Sequence, residues 1–230
     1  MYGKMTKQDY VNVVSKTIRK DTDVYSWIYE KISGIGVNHT ELMTDALRTL
    51  GSALQSDQNT EQSLTIAYKY LTDLIKDEPD YADETFKTFE MALQSVKNTP
   101  ASIYAACEAL RVLLRTHPQY ATDILDIFKK ALKSPQTESY ALSQSYRLLQ
   151  TIICEQPKFV NNVFDIFYFA LNECNNNHES ISWIYRTMQS VVRSKPEFKE
   201  KAIALCERAL ASDKNNQYTL DLGQRILSSL

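Results

Sequence analysis

Acid–base, metal or nucleophilic chemistry in this chain would have to come from three histidines, four cysteines and a few paired carboxylates. A histidine works as a general base only when a substrate and an orienting partner are held beside it. His39 and His117 instead occupy one recurring position at the end of a predicted helix, where a cation suits the carbonyl end. His178 lies in a polar stretch predicted to be a turn. Cys107, Cys154, Cys174 and Cys206 form no CxxC pair and have no histidine at ligand spacing, so they read as isolated thiols rather than as a metal set. The pairs Asp77–Glu78 and Asp83–Glu84 stand at predicted helix boundaries, where solvation and the helix dipole account for them. No glycine-rich phosphate loop, HExxH or GxSxG is present. These residues predict a protein that is not an enzyme and that needs no cofactor or metal.

Binding chemistry has better candidates. Arg147, Arg186 and Arg225 recur at one constant interval, with Arg111, Gln150 and Gln189 in a column one helical turn along. Such a ladder could grip acidic side chains or a peptide backbone, since guanidinium groups bind carboxylates through two parallel hydrogen bonds. Glu108 and Lys69 interrupt the arginine column toward the N-terminus. Aromatic residues in otherwise polar columns add a second candidate surface: Tyr168 and Phe169, expected to be exposed, and Trp183, whose column begins at Trp27. The alternative for these rings is packing along the seam between neighbouring repeats. Lys129, Lys130 and Lys133 form the one dense basic cluster, and it is not repeated. That argues against a nucleic-acid surface, as does the formal net charge of -2.

The elements that must position these residues follow from the same interval. Pro79, Pro118, Pro157 and Pro196 are evenly spaced with no insertion between them, and ALQSDQNT at 53–60 reappears as ALQSVKNT at 92–99. After each proline, positions such as Tyr81, Ala82, Phe86, Phe89, Ala92 and Leu93 have the spacing of one helical stripe. The proline marks the beginning of this helix, because its missing N–H would be unpaired there anyway. A second stripe runs through Leu64, Ala67, Tyr68, Leu71, Leu74 and Ile75 and returns in the later copies. Thr60, Thr99, Asn177 and Asn216 precede it as N-caps, with Glu138 as the exception in that column.

Each repeat is therefore a pair of antiparallel helices, and because one pair cannot bury its own stripe, neighbours must stack. The predicted fold is all-α: a right-handed α-solenoid with a 39-residue repeat, forming a single domain over 1–230. Residues 1–39 are an irregular first unit, 40–78, 79–117, 118–156 and 157–195 are repeats, and 196–230 is an incomplete last one. Leu222, Ile226, Leu227 and Leu230 are expected to lack a following helix to cover part of their surface, which suggests a longer array, end-to-end self-association through the C-terminal helix, or an amphipathic terminal cap. The repeat resembles the HEAT and armadillo group in length and layout. The helix endings FEMALQSVKN and FKKALKSPQT resemble those of tetratricopeptide repeats, although the unit is longer and the tryptophan and leucine-glycine signature is absent. Both resemblances imply a scaffold or adaptor that docks a protein or peptide. Other readings are the regulatory solenoid of a larger enzyme and a helical-repeat nucleic-acid binder. No apolar run is long enough to span a bilayer, and the first residues lack a signal-peptide pattern, so the expected compartment is the cytoplasm, or the nucleus, without membrane insertion.

Overall fold

A computed structural model describes residues 43–230. The expected irregular first unit, with Trp27 and His39, lies outside the described residues. Those described form α-helices and short 3-10 turns joined by brief loops, with no strand among them. They fall into two compact units, the first ending at Asn98 and the second running from Thr99 to Leu230. The described part of the first unit contains α1 (Met43–Leu54), α2 (Glu61–Asp77) and α3 (Ala82–Leu93). The second contains α4 (Pro100–Thr116), α5 (Ala121–Lys133), α6 (Ser139–Glu155), α7 (Val160–Glu173), α8 (His178–Ser194), α9 (Lys199–Leu210) and α10 (Gln217–Ser229).

The long helices begin where the capping residues predict. Thr60, Thr99, Asn177 and Asn216 each accept a hydrogen bond from the backbone N–H three residues on, and the side chains of Ser63, Ser102, Ser180 and Thr219 accept one from the cap's own N–H. Two orphan amides at each start are thereby paired. α6 lacks this arrangement: Glu138 makes no side-chain cap bond, and Ala141 stands where the others have a hydroxyl. His178 is the first residue of α8 rather than part of a turn, because Asn177 caps immediately before it.

The prolines act slightly earlier than predicted. Pro79, Pro118, Pro157 and Pro196 each open a three-residue 3-10 turn, and the short α-helix starts after it. The preceding residues, Glu78, His117, Gln156 and Lys195, all leave the helical conformation, as a following proline requires, while their N–H groups close the long helix.

Packing in the second unit follows two layers. The long helices α4, α6, α8 and α10 lie side by side, the short helices α5, α7 and α9 do the same, and each long helix up to α8 packs on the short one that follows it. Phe128, Phe167, Tyr146, Tyr185 and Cys206 are buried between the layers. The turns from short to long helix are tied in from below. Asn98, Asn176 and Asn215 each donate to the carbonyl of an alanine six residues back, Ala92, Ala170 and Ala209, and accept from a tyrosine hydroxyl 30 residues back, Tyr68, Tyr146 and Tyr185. Where the tyrosine position is Cys107 the asparagine position is Thr137, whose hydroxyl keeps the bond to Ala131. The chain thus varies both members of the pair together.

Gly223 on α10 is buried, and a Cβ there would lie 2.7 Å from the Tyr185 ring and 2.7 Å from Leu210. Gly223→Ala is expected to cost about 1–2 kcal/mol despite alanine's higher helix propensity, because a buried ring between two layers has little room to move. Chemical denaturation measures it; an unchanged or raised midpoint would show that the layers separate freely at this point. The same packing sets how much of the last helix is covered. α10 rests on α8 and α9, so Leu222 and Ile226 are buried and Leu227 and Leu230 half-buried. The apolar surface left open on this helix is the uncovered part of Leu227 and Leu230.

Candidate partner-docking site

The long helices present Arg147 and Arg186 at matching positions on α6 and α8. Both arginines are exposed, and both guanidinium groups lie 5.5 Å from the ring centre of Trp183. Trp183 is half-buried, one turn before Arg186 on α8. A ring quadrupole attracts each cation, which restricts two otherwise mobile side chains without neutralising them. Arg186 also donates to the hydroxyl of Tyr218 on α10 at 3.2 Å, and Arg147 donates to Gln144 on its own helix. No carboxylate lies within ion-pair distance of Arg147, Arg186 or Arg225 among the described residues. Asp221, the nearest acidic residue along α10 from Arg225, accepts from Gln217.

The rest of the predicted ladder is engaged within the chain. Arg111 holds both Glu108 and Glu155, at 2.6 and 3.0 Å, with its side chain only 14% exposed. Glu108, hydrogen-bonded to its guanidinium, is the main cause of a raised Arg111 pKa. Gln150 donates to Ser190 and Gln189 to Ser229, each bond joining neighbouring long helices. These three residues tie the layer together, and the cations left to bind a partner from the ladder are those on α6, α8 and α10.

Tyr168 and Phe169, expected to be exposed, are half-buried. Tyr168 lines an open groove of about 500 Å³ between α7 and α9, with Phe164, Asp165, Glu200 and Lys201 along it. Burial raises its phenol pKa, with Cys206, Asp165 and Glu207 acting in the same direction. The physical reason is lateral packing in the short-helix layer, which covers the flanks of each helix. The lysine cluster on α5 is also partly neutralised: Lys129 pairs with Asp126 and Lys133 with Glu173.

Two site residues escaped the sequence reading. Tyr140 and Tyr218 are 60% and 56% exposed, the most exposed large apolar side chains of the second unit. Together with Glu179 they form one column in the first turn of α6, α8 and α10. Along α6 the face reads Tyr140, Gln144, Arg147, and along α8 Glu179, Trp183, Arg186, in both cases at helical spacing. Comparing that column would have revealed them, since tyrosines alternate there with a glutamate. On α4 the corresponding residues are Ala101, Ala105 and Glu108, so the pattern is not shared by that helix.

Burial disfavours the thiolate at three of the four cysteines. Burial pushes Cys107, Cys174 and Cys206 up to about 12, and the Tyr146 and Tyr185 phenols are raised for the same reason. A raised folded-state pKa contributes stability that is present below the unfolded value and lost as pH rises through the folded one. The melting temperature is therefore expected to be level near neutrality and to fall from about pH 9 upward. Cys107 and Cys206, both fully buried, would each contribute about 1.4 kcal/mol per pH unit there. Calorimetry across that range checks it, and a flat profile to about pH 11 would contradict the burial of these groups. Among the described residues, no three His, Cys, Asp or Glu side chains group as a metal site.

The family models contain none that matches this chain, and neither the curated proteins nor the solved structures yield a match.

Proposed function

We propose that this chain is a non-catalytic protein-docking scaffold, a right-handed α-solenoid of 39-residue units that binds a partner protein or peptide on its long-helix face. The observation that carries the reading is the Arg147–Trp183–Arg186 cluster, with Tyr218 bonded to Arg186 and the exposed Tyr140 two turns before Arg147 on α6. Trp, Tyr and Arg are the side chains that dominate binding energy at protein interfaces, and here they are carried by neighbouring long helices. The repeat is supported by elements that return at whole multiples of the proline spacing: the caps, the proline turns and the tyrosine–asparagine pairs.

A protein partner is favoured over nucleic acid because the lysine cluster is partly paired internally and the cations of the site are few. Among the described residues no helix is long and apolar enough to cross a membrane. Free thiols at all four cysteines support a reducing compartment such as the cytoplasm.

Affinity capture from cell extract tests the proposal, with wild type, Arg147→Glu/Arg186→Glu and a Lys130→Glu control on the short-helix layer. A protein retained by wild type and control but lost with the double variant is the expected result. An identical set of captured proteins on all three would refute docking at this face.

A further inference from the structure

We infer that the occupant of this face is an extended acidic peptide that crosses α6 and α8 and places two carboxylates, three residues apart, on Arg147 and Arg186. The inference rests on the docking reading and adds the chemistry of the ligand.

Three observations converge on it. The first is charge. Arg147 and Arg186 have no carboxylate partner among the described residues, whereas Arg111, Lys129 and Lys133 all do. Two exposed guanidinium groups left without carboxylates on one face are complementary to carboxylates from elsewhere, each able to accept a bidentate pair.

The second is spacing. Each guanidinium carbon lies 5.5 Å from the centre of the Trp183 ring, so the two are separated by at most twice that distance. Packed helices such as α6 and α8 are separated by about 8–10 Å. A polyproline II chain rises about 9 Å every three residues and returns its side chains to the same side at that interval. Glutamates at i and i+3 therefore match the spacing of the two helices that carry the arginines. A fully extended strand brings same-side residues back after only about 7 Å, which is short of the helix spacing.

The third is pre-organisation. Trp183 holds both cations against its ring, and Arg186 is further held by Tyr218, so less side-chain freedom is lost when the ligand arrives. The aromatic surface of Trp183 and Tyr218 is left to the residues between the two glutamates. A polyphosphate fits less well. Glu179 stands one turn before Trp183 and Asp221 one turn before Arg225, so a uniformly anionic chain laid over this face would meet carboxylates as well as arginines. A peptide can leave neutral residues at those points.

The test uses the whole chain carrying Trp27→Phe, so that Trp183 is the sole fluorophore of its kind. Short capped peptides with glutamates at i and i+3, at i and i+1, or lysines at i and i+3 are titrated, together with oligouridine RNA. The expected result is a change in Trp183 emission with the i,i+3 acidic peptide, at least about tenfold weaker binding for the i,i+1 spacing, and none for lysine. Arg147→Glu and Arg186→Glu should each abolish the response, and calorimetry should give the same order. Three results would overturn the inference: no binding by the i,i+3 peptide, binding that survives both charge reversals, or RNA binding more tightly than the peptide. If the peptides fail while the captured protein is still lost with Arg147→Glu/Arg186→Glu, the docking reading stands and only the ligand chemistry falls. If both fail, the docking reading falls with it.

Discussion

Replacing Asn176 by alanine is expected to destabilise the protein by about 3 kcal/mol, whereas Tyr146→Phe, which breaks the same hydrogen bond, should cost about 1 kcal/mol. The difference lies in what each change leaves behind. Asn176 is buried and serves four groups: it accepts from the Tyr146 hydroxyl at 2.7 Å and from Ser180 at 3.1 Å, and it donates to the carbonyls of Ala170 at 2.6 Å and Cys174 at 3.3 Å. Its removal strands a fully buried hydroxyl, which costs roughly 1–3 kcal/mol when unpaired, and takes one of two donors from the Ala170 carbonyl, which keeps the Cys174 N–H at 3.1 Å. Tyr146→Phe removes the donor together with its need, and Asn176 keeps Ser180 as a donor to the same oxygen. For a chain of this length about 3 kcal/mol corresponds to roughly 6–12 °C in Tm. Thermal melts of the two variants decide the matter: equal losses would mean that the turn is held by something other than this network.

That network also marks what the sequence can and cannot reveal. Helical stripes are legible because burial imposes a period, and Leu64, Ala67, Tyr68, Leu71, Leu74 and Ile75 are all buried as their spacing predicts. Caps are legible because only a few side chains can accept from a helix start, and even the exception at Glu138 proves to lack a cap bond. The tyrosine–asparagine pairs are not, since a polar residue in a turn looks solvated until the chain brings a hydroxyl to it from 30 residues away. The arginine column shows the same limit at the site. Arg111 resembles Arg147 by type and by helix layer, yet Glu155, 44 residues later, claims it. Gln150 and Gln189 bond to serines 40 residues on and so belong to the layer rather than to the surface. Tyr168 and Phe169 stand in polar columns but lie on a helix flank that a neighbour covers, which a column comparison alone does not distinguish from exposure.

The second large effect is expected at the site itself. Arg147→Glu/Arg186→Glu should weaken partner binding by at least about a hundredfold while leaving the fold intact. Each arginine offers a charge-assisted bidentate pair, and hydrogen bonds to charged groups are worth roughly 1.5–3 kcal/mol apiece, with repulsion added once the sign is reversed. Stability depends on these residues far less: both are exposed, and what they lose is contact with the Trp183 ring, worth about 0.5–1 kcal/mol each at such sites. The variant should therefore melt within a few degrees of wild type. Trp183→Ala is expected to fall between the two, weakening binding by freeing both arginines and lowering stability through the loss of a half-buried ring. If the double charge reversal unfolds the protein, the arginines are structural and the surface assignment is wrong.

Site-specific photo-cross-linking tests most directly whether a partner seats on the long-helix face of α6, α8 and α10. A benzophenone side chain is placed at Gln144 or Thr151 on that face and, separately, at Lys130 on the short-helix layer. Docking at this face predicts that one protein is captured from Gln144 and Thr151, that the adduct disappears with Arg147→Glu/Arg186→Glu, and that Lys130 yields none. Adducts from Lys130 alone, or adducts at Gln144 indifferent to the charge reversal, would contradict it.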